Sequence, residues 1–170
     1  MKIGLVPGAM KPYHAGHHYL TRQALAECDQ IIIITSLKDR KTIKGENMKK
    51  IWENLIIPRM PKNVQVRFVT SPVGEVYKII EEANSRCSSD EYRIYGGTED
   101  VARFPTAKLR LKYSSITGKI INVAEERSNA FVRGKGASPV AKGQWVRDAI
   151  ANQDFVSFER MLPNFLKSAS

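Results

Sequence analysis

Short apolar segments rich in β-branched residues recur along the chain and predict strands. Most of them are apolar at successive positions, which is typical of parallel strands that are covered on both faces. The predicted strands cover residues 2–6, 30–36, 64–69, 92–96 and 119–123.

Helical patterns lie between these strands. The predicted helices cover residues 16–27, 46–57 and 74–86, and residues 142–167 predict a closing helical pair. Because strand and helix alternate, right-handed crossovers are expected. We therefore predict an α/β fold, a doubly wound, Rossmann-like parallel sheet of about five strands with helices on both faces. The 170 residues are expected to form a single domain.

This topology predicts where a ligand binds. In open α/β sheets, ligands bind beyond the carboxyl ends of the strands, near a switch in strand order. The segments that follow the strands are therefore expected to share one rim. They are residues 7–17, 36–46, 70–74 and 96–104, with residues 124–142 expected to join them.

Composition narrows the class of ligand. The formal net charge is +10, and the basic residues cluster in segments predicted to be loops, which favours anionic partners such as nucleotides. No apolar run approaches the length of a membrane span, and no signal peptide is evident, so no membrane partner is expected. Cys28 and Cys87 lack the spacing of a disulfide framework, which predicts a cytoplasmic protein.

The stretch VPGAMKPYHAGHHYL, residues 6–20, is the strongest local signal. It follows the first strand and leads into a helix, whose first amides are expected to be unpaired. Gly8 and Gly16 allow close backbone approach, and His14 and His17 are three residues apart, so both imidazoles could face one phosphate chain. Helix capping by one histidine, or a metal site formed with His18, are the alternatives.

Two blocks of sequence resemble one known superfamily. GAMKPYHAGH, residues 8–17, is similar to the G-x-F-x-P-x-H-x-G-H motif of the HxGH nucleotidylyltransferases. That superfamily includes nicotinamide-mononucleotide and phosphopantetheine adenylyltransferases and cytidylyltransferases. Residues 141–163 resemble its second motif, I-S-G-T-x-V-R followed by a helix and a final Leu-Pro. This chain departs from the pattern at Met10, which replaces an aromatic residue, and at Ala9, Lys142 and Gln144, which replace hydroxyl residues.

The resemblance implies a set of site residues. His14 and His17 would contact the triphosphate around its α- and β-phosphates, and Arg147 would hold the β- and γ-phosphates. These three are the predicted catalytic residues. The predicted nucleotide-binding residues are Gly8, Ala9, Met10, Gly16, Gly96, Thr98, Asp100, Lys142 and Gln144. The predicted acceptor-binding residues are Lys38, Lys41, Lys44 and Arg133.

The resemblance also implies a reaction. A nucleotidyl group, with adenylyl favoured, would pass from ATP or another nucleoside triphosphate to a phosphorylated small-molecule acceptor, and pyrophosphate would be released. Mg²⁺ would be carried by the substrate phosphates, and no protein metal site is expected. Nicotinamide mononucleotide is the leading acceptor and phosphopantetheine the next, with cytidylyl transfer as an alternative. Relatives range from monomers to hexamers, so a homo-oligomer is possible.

A different class of function also fits the charge. A basic nucleotide- or nucleic-acid-binding module without catalysis would use the same fold. It ranks below the enzyme, because the interleaved aromatic residues expected of a single-strand groove are not evident.

Overall fold

A single parallel sheet forms the centre of the molecule. The computed structural model describes residues 1–97, 102–124 and 143–163, and in these ranges the sheet has five strands. They are β1 (Lys2–Gly8), β2 (Gln30–Ser36), β3 (Val64–Val69), β4 (Glu91–Ile94) and β5 (Ile120–Asn122). Their spatial order is β3-β2-β1-β4-β5, and every neighbouring pair is parallel. The predicted Rossmann-like sheet is confirmed.

Helices follow most of the strands. They are α1 (Ala15–Glu27), α2 (Gly45–Ile51), α3 (Pro72–Ser85), α4 (Thr106–Lys112), α5 (Gly143–Ala151) and α6 (Phe155–Arg160). The predicted helix 46–57 changes its winding: α2 continues as a π-helix over Trp52–Ile56 and a 3-10 turn over Ile57–Arg59. The predicted closing pair corresponds to α5 and α6, and its last residues lie outside the described ranges. No helix in the described ranges is both long and apolar enough to cross a membrane.

The core has two layers, one on each face of the sheet. Leu5 and Ile34 are fully buried against α3 residues such as Val76, whereas Val6 and Ile33 belong to a second cluster with Trp52. Adjacent residues of a strand point to opposite faces, so each apolar strand supplies both layers. This explains why the strands show no polar alternation, and it confirms helices on both faces.

The switch in strand order falls at β1. The chain moves from β1 outward to β2 and β3, then returns past β1 to β4 and β5. The segments after β1 and β4 therefore lead to opposite faces and leave a crevice at the carboxyl edge between them. The segment after β1 is the one that contains His14.

Helices α5 and α6 form a small unit with its own apolar cluster. Val146, Ala149 and Met161 are buried, with Phe158 packed against them. The unit reaches the start of α1, because the Ala15 amide donates a hydrogen bond to the Met161 carbonyl at 2.7 Å. The last described part of the chain is thereby joined to the segment after β1.

One glycine fixes the segment after β2. The Gly45 amide, at the start of α2, donates to Asp39 Oδ1 at 2.8 Å. A Cβ at Gly45 would lie 1.7 Å from the Leu37 carbonyl oxygen, a distance that forces the backbone to move. Segment 37–44 can therefore fold back on α2 only where residue 45 has no side chain.

We predict that Gly45→Ala destabilises the protein by about 2–4 kcal/mol, since backbone atoms must separate to admit the methyl group. Urea unfolding followed by circular dichroism measures the loss. Gly74→Ala is the matched control, because the nearest atom to its Cβ is the Ser71 side-chain oxygen at 3.1 Å. That control should change stability by about 1 kcal/mol or less. Equal losses in the two variants would contradict the packing argument.

Candidate functional site

Two histidines close the first turn of α1 by capping each other. His14 is the N-cap residue, and its Nδ1 accepts hydrogen bonds from the amides of Gly16 at 3.0 Å and His17 at 3.4 Å. In return, His17 Nδ1 accepts from the His14 amide at 3.2 Å. The two rings stack with centroids 3.7 Å apart. The arrangement is a capping box in which imidazoles replace the usual hydroxyl and carboxylate groups.

This cap fixes the tautomer of both rings. Because each Nδ1 accepts an N–H bond, neutral His14 and His17 must carry their proton on Nε2. Burial, with a smaller effect of the Arg147 charge, lowers the pKa of His14 to about 4. Burial and the neighbouring His14 lower the pKa of His17 well below its usual value. At neutral pH the pair therefore presents two uncharged Nε2–H donors.

The cap overturns one expectation from the sequence. The first amides of α1 are not unpaired: those of His14, Gly16 and His17 donate to the two imidazoles, and that of Ala15 donates to Met161. A phosphate therefore cannot bind these amides without breaking the cap. What the helix start offers an anion is the Nε2–H edge of each ring, polarised by the amide behind it.

An aromatic layer supports the histidine pair. Tyr13 is buried, its ring stacks on His17 at 5.8 Å, and it makes edge-on contacts with Trp52 at 4.8 Å and His18 at 5.9 Å. The Tyr13 hydroxyl donates to Thr21 Oγ1 at 3.1 Å and lies 2.9 Å from His18 Nδ1. His18 thus pairs with Tyr13, away from the capping box. Within the described residues, no three His, Cys, Asp or Glu side chains are grouped to hold a metal ion.

Arg147 lies on α5, and its side chain contacts the segment after β1. Its side chain is 5% exposed, and its Nη1 donates to the Lys11 carbonyl at 3.1 Å across 136 residues of sequence. Its Nη2 donates to Gln144 Oε1 at 3.3 Å. Arg147 thus bonds to the segment that leads into the capping box, and its charge contributes to the lowered pKa of His14. The structure therefore brings the three predicted catalytic residues to one place.

The described residues do not neutralise the charge of Arg147. No carboxylate of the described residues forms an ion pair with it, and its buried Nε has no hydrogen-bond partner among them. Burial, followed by the charge of Arg40, lowers its pKa, and Asp148 opposes this effect. Among the described residues this buried guanidinium contacts only neutral oxygens, so an anion bound beside it would compensate its charge.

Lys11 is a second buried cation, and the sequence analysis did not identify it. It is 2% exposed, and its Nζ donates to the carbonyls of Ala9 and Ser36. Those carbonyls lie just after β1 and at the end of β2, so the ammonium joins two neighbouring strand ends. Burial lowers the pKa of Lys11, while the carboxylate of Asp39 raises it. Its position inside the motif, between Met10 and Pro12, was the only available sequence signal.

The turn of residues 40–43 extends from the segment after β2 toward α5. Arg40 and Ile43 exchange two backbone hydrogen bonds, and Lys41 has φ 52° at the turn. Lys41 Nζ donates to Gln144 Oε1 at 2.7 Å. Arg40 is exposed, and its charge lowers the pKa of both Lys11 and Arg147. Sequence reasoning included Lys41 but not Arg40.

The remaining predicted residues lie around this group or outside the described ranges. Gly8 ends β1, and Ala9 offers its carbonyl to Lys11 and to Thr35 Oγ1 at 3.3 Å. The Met10 side chain is buried in the core, and its backbone has a positive φ of 51°. Gly16 is in the first turn of α1, and Gly96 follows β4, next to β1.

Two of the predicted acceptor-binding residues, Lys38 and Lys44, are exposed in the segment after β2. Thr98, Asp100, Arg133 and Lys142 lie outside the described residues.

Comparison with known proteins did not assign the chain to a family. No protein-family model matches the chain, and no curated protein matches its sequence. Two neutral imidazole donors, a buried guanidinium and the lysine of a neighbouring turn converge at the carboxyl edge of the sheet, a combination suited to several phosphoryl groups in a row.

We predict that stability falls between pH 6.5 and pH 4, because unfolded histidines bind protons there that the folded capping box excludes. For His14 alone, a pKa near 4 in the folded state corresponds to about 3 kcal/mol lost over this range. The free energy of unfolding in urea, measured from pH 7 to pH 4, tests this.

His14→Asn is the matched variant, since asparagine is a good N-cap residue that does not titrate. Its unfolding free energy should fall less steeply with acidification than that of the wild type. Parallel curves for the two proteins would show that His14 does not carry the predicted shift.

Proposed function

We propose that this chain is a nucleotidylyltransferase. It transfers a nucleotidyl group, with adenylyl favoured, from a nucleoside triphosphate to the phosphate of a small-molecule acceptor and releases pyrophosphate. The observation that carries the proposal is the buried guanidinium of Arg147, which forms no ion pair with a carboxylate of the described residues and bonds to the segment that carries the His14–His17 capping box. The crevice of a doubly wound sheet is also the usual place for a nucleotide.

The proposed reaction is a single in-line displacement. An oxygen of the acceptor phosphate attacks the α-phosphorus of the triphosphate and forms a new P–O bond. The bond from that phosphorus to the oxygen bridging the α- and β-phosphates breaks, and its electron pair leaves with pyrophosphate. The reaction needs no covalent link to the enzyme, so the protein contributes positioning and electrostatic stabilisation.

Each group has a role in this scheme. The Nε2–H donors of His14 and His17 stabilise charge on the α- and β-phosphate oxygens as the displacement proceeds. Because both rings are neutral with a fixed tautomer, they donate without first losing or gaining a proton. Arg147 holds the β- and γ-phosphates, and Lys41 on the neighbouring turn supplies a second positive charge there.

Other parts of the proposal rest on the resemblance. Lys38 and Lys44, both exposed on the segment after β2, are candidates for the acceptor phosphate, and nicotinamide mononucleotide is the first acceptor to test. Phosphopantetheine and cytidylyl transfer come next. Mg²⁺ would enter bound to the substrate phosphates, which is its usual mode in phosphoryl-transfer sites.

The competing hypothesis is a basic binding module without catalysis, and its support is the net charge of +10. Such a module would bind DNA or RNA with a steep dependence on salt concentration. Its binding would also be indifferent to the histidine pair. The two hypotheses therefore differ in the response to substitution of His17.

We predict that His17→Gln lowers turnover about 100-fold, the usual loss when one donor to a developing charge is removed. Glutamine at this helix position can still accept the His14 amide, so the cap is kept while the imidazole is lost. Pyrophosphate release, assayed with Mg²⁺ and a panel of nucleoside triphosphates and phosphorylated acceptors, measures turnover. Nucleotide affinity, measured by thermal shift, should change about threefold or less.

His18→Gln is the control, because His18 is on the same turn but contacts Tyr13 instead of the capping box. It should retain turnover close to the wild type. Equal losses of turnover and of nucleotide affinity in His17→Gln would refute a role in the transition state. The enzyme hypothesis itself fails if no combination of nucleotide and acceptor yields pyrophosphate.

A further inference from the structure

One neutral oxygen lies between two cations of the site. Gln144 Oε1 accepts from Lys41 Nζ at 2.7 Å and from Arg147 Nη2 at 3.3 Å. The Gln144 amide nitrogen donates in the other direction, to Asp148 Oδ1 at 2.7 Å. This orientation is the only one that fits, because a flipped amide would direct its NH₂ group at two positive charges.

The three contacts make Gln144 an intramolecular substitute for an anion. Among the described residues, neither Lys41 nor Arg147 forms an ion pair with a carboxylate. Both donate instead to an amide oxygen, which carries only partial negative charge. Asp148, the nearest acid along the helix, binds the amide nitrogen and thereby holds the oxygen toward the two cations.

The space between the two cations is small enough for one phosphoryl group. Since both donors are within 3.3 Å of the same oxygen, they are close to each other. A phosphate oxygen placed between them would carry a full negative charge, so both cations would attract it more strongly than they attract the neutral amide oxygen. It would also occupy the position that Gln144 Oε1 holds.

We propose that Gln144 is a built-in competitor of the polyphosphate ligand, displaced from Lys41 and Arg147 when a terminal phosphoryl group binds between them. This inference rests on the proposed function, because it assumes that these cations bind polyphosphate. It adds one point to that function. In the free protein the Gln144 side chain holds Lys41 and Arg147 in place, and its displacement lowers the affinity for polyphosphate. Gln144 is exposed, so the side chain can swing away without opening the core.

The test uses the full chain and inorganic tripolyphosphate, titrated by calorimetry. Gln144→Ala removes the competing oxygen, so tripolyphosphate should bind about two- to tenfold tighter. Gln144→Glu keeps the size but places a full negative charge between the cations, so binding should weaken about tenfold or more. Asn152→Ala, which removes an exposed amide just beyond the same helix, is the control and should leave the affinity unchanged.

The contribution of Lys41 can be isolated with a double-mutant cycle. In a Lys41→Ala background, Gln144→Ala should give a smaller gain in affinity, because one of the two displaced bonds is already absent. A gain of the same size with and without Lys41 would overturn the bridging role.

The outcomes separate this inference from the function on which it rests. If wild type binds tripolyphosphate and Gln144→Ala binds it equally or more weakly, Gln144 is not a competitor, and the nucleotidyl-transfer proposal is unaffected. If neither protein binds tripolyphosphate, this inference fails, and the nucleotidyl-transfer proposal is judged separately by the pyrophosphate assay. Tighter binding in Gln144→Ala with weaker binding in Gln144→Glu supports the inference.

Discussion

The hydrogen bond from buried Arg147 to the Lys11 carbonyl is the contact on which the candidate site depends. It joins α5, near the end of the described chain, to the segment after β1, and it places a positive charge where solvent is largely excluded. Burying a guanidinium is unfavourable unless it is paired, and in the part of the chain that the structure describes Arg147 contacts only uncharged oxygens. The fold therefore holds an electrostatically unfavourable buried charge at the crevice where doubly wound sheets bind their ligands.

The histidine pair combines a structural and a chemical role in the same atoms. Nδ1 of each ring completes the first turn of α1, while Nε2 remains as a donor. The structural bond sets the tautomer, and the tautomer sets what the ring can do to a phosphate. An alanine at either position removes both roles together, so variants that retain the cap are needed to separate stability from chemistry.

Much of the fold could be predicted from the sequence, because the patterns that indicate strands and helices are local. The strands are continuous apolar runs, and the structure has them within about two residues of the predicted bounds. The short helix α4 was missed because TAKLRLK is basic and has a single buried residue, Leu109.

The candidate site could be predicted from the sequence only in part. Unpaired amides were expected at α1, but the acceptor for Ala15 is Met161, which no local pattern can indicate. Lys11 and Arg40 were missed because burial and proximity to Arg147 arise only from tertiary structure.

The segment after β2 shows how the fold's constraints reach the site. Asp39 accepts the Gly45 amide and also opposes the charge of buried Lys11. Gly45 is required because the Leu37 carbonyl occupies the place of a Cβ, so the same close contact that starts α2 also sets the course of residues 37–44. That course brings the turn with Lys41 to Gln144, and Lys38 and Lys44 lie on either side of the turn. Three lysines that look equivalent in sequence therefore differ in the structure, because the backbone brings Lys41 to the side chain that also binds Arg147.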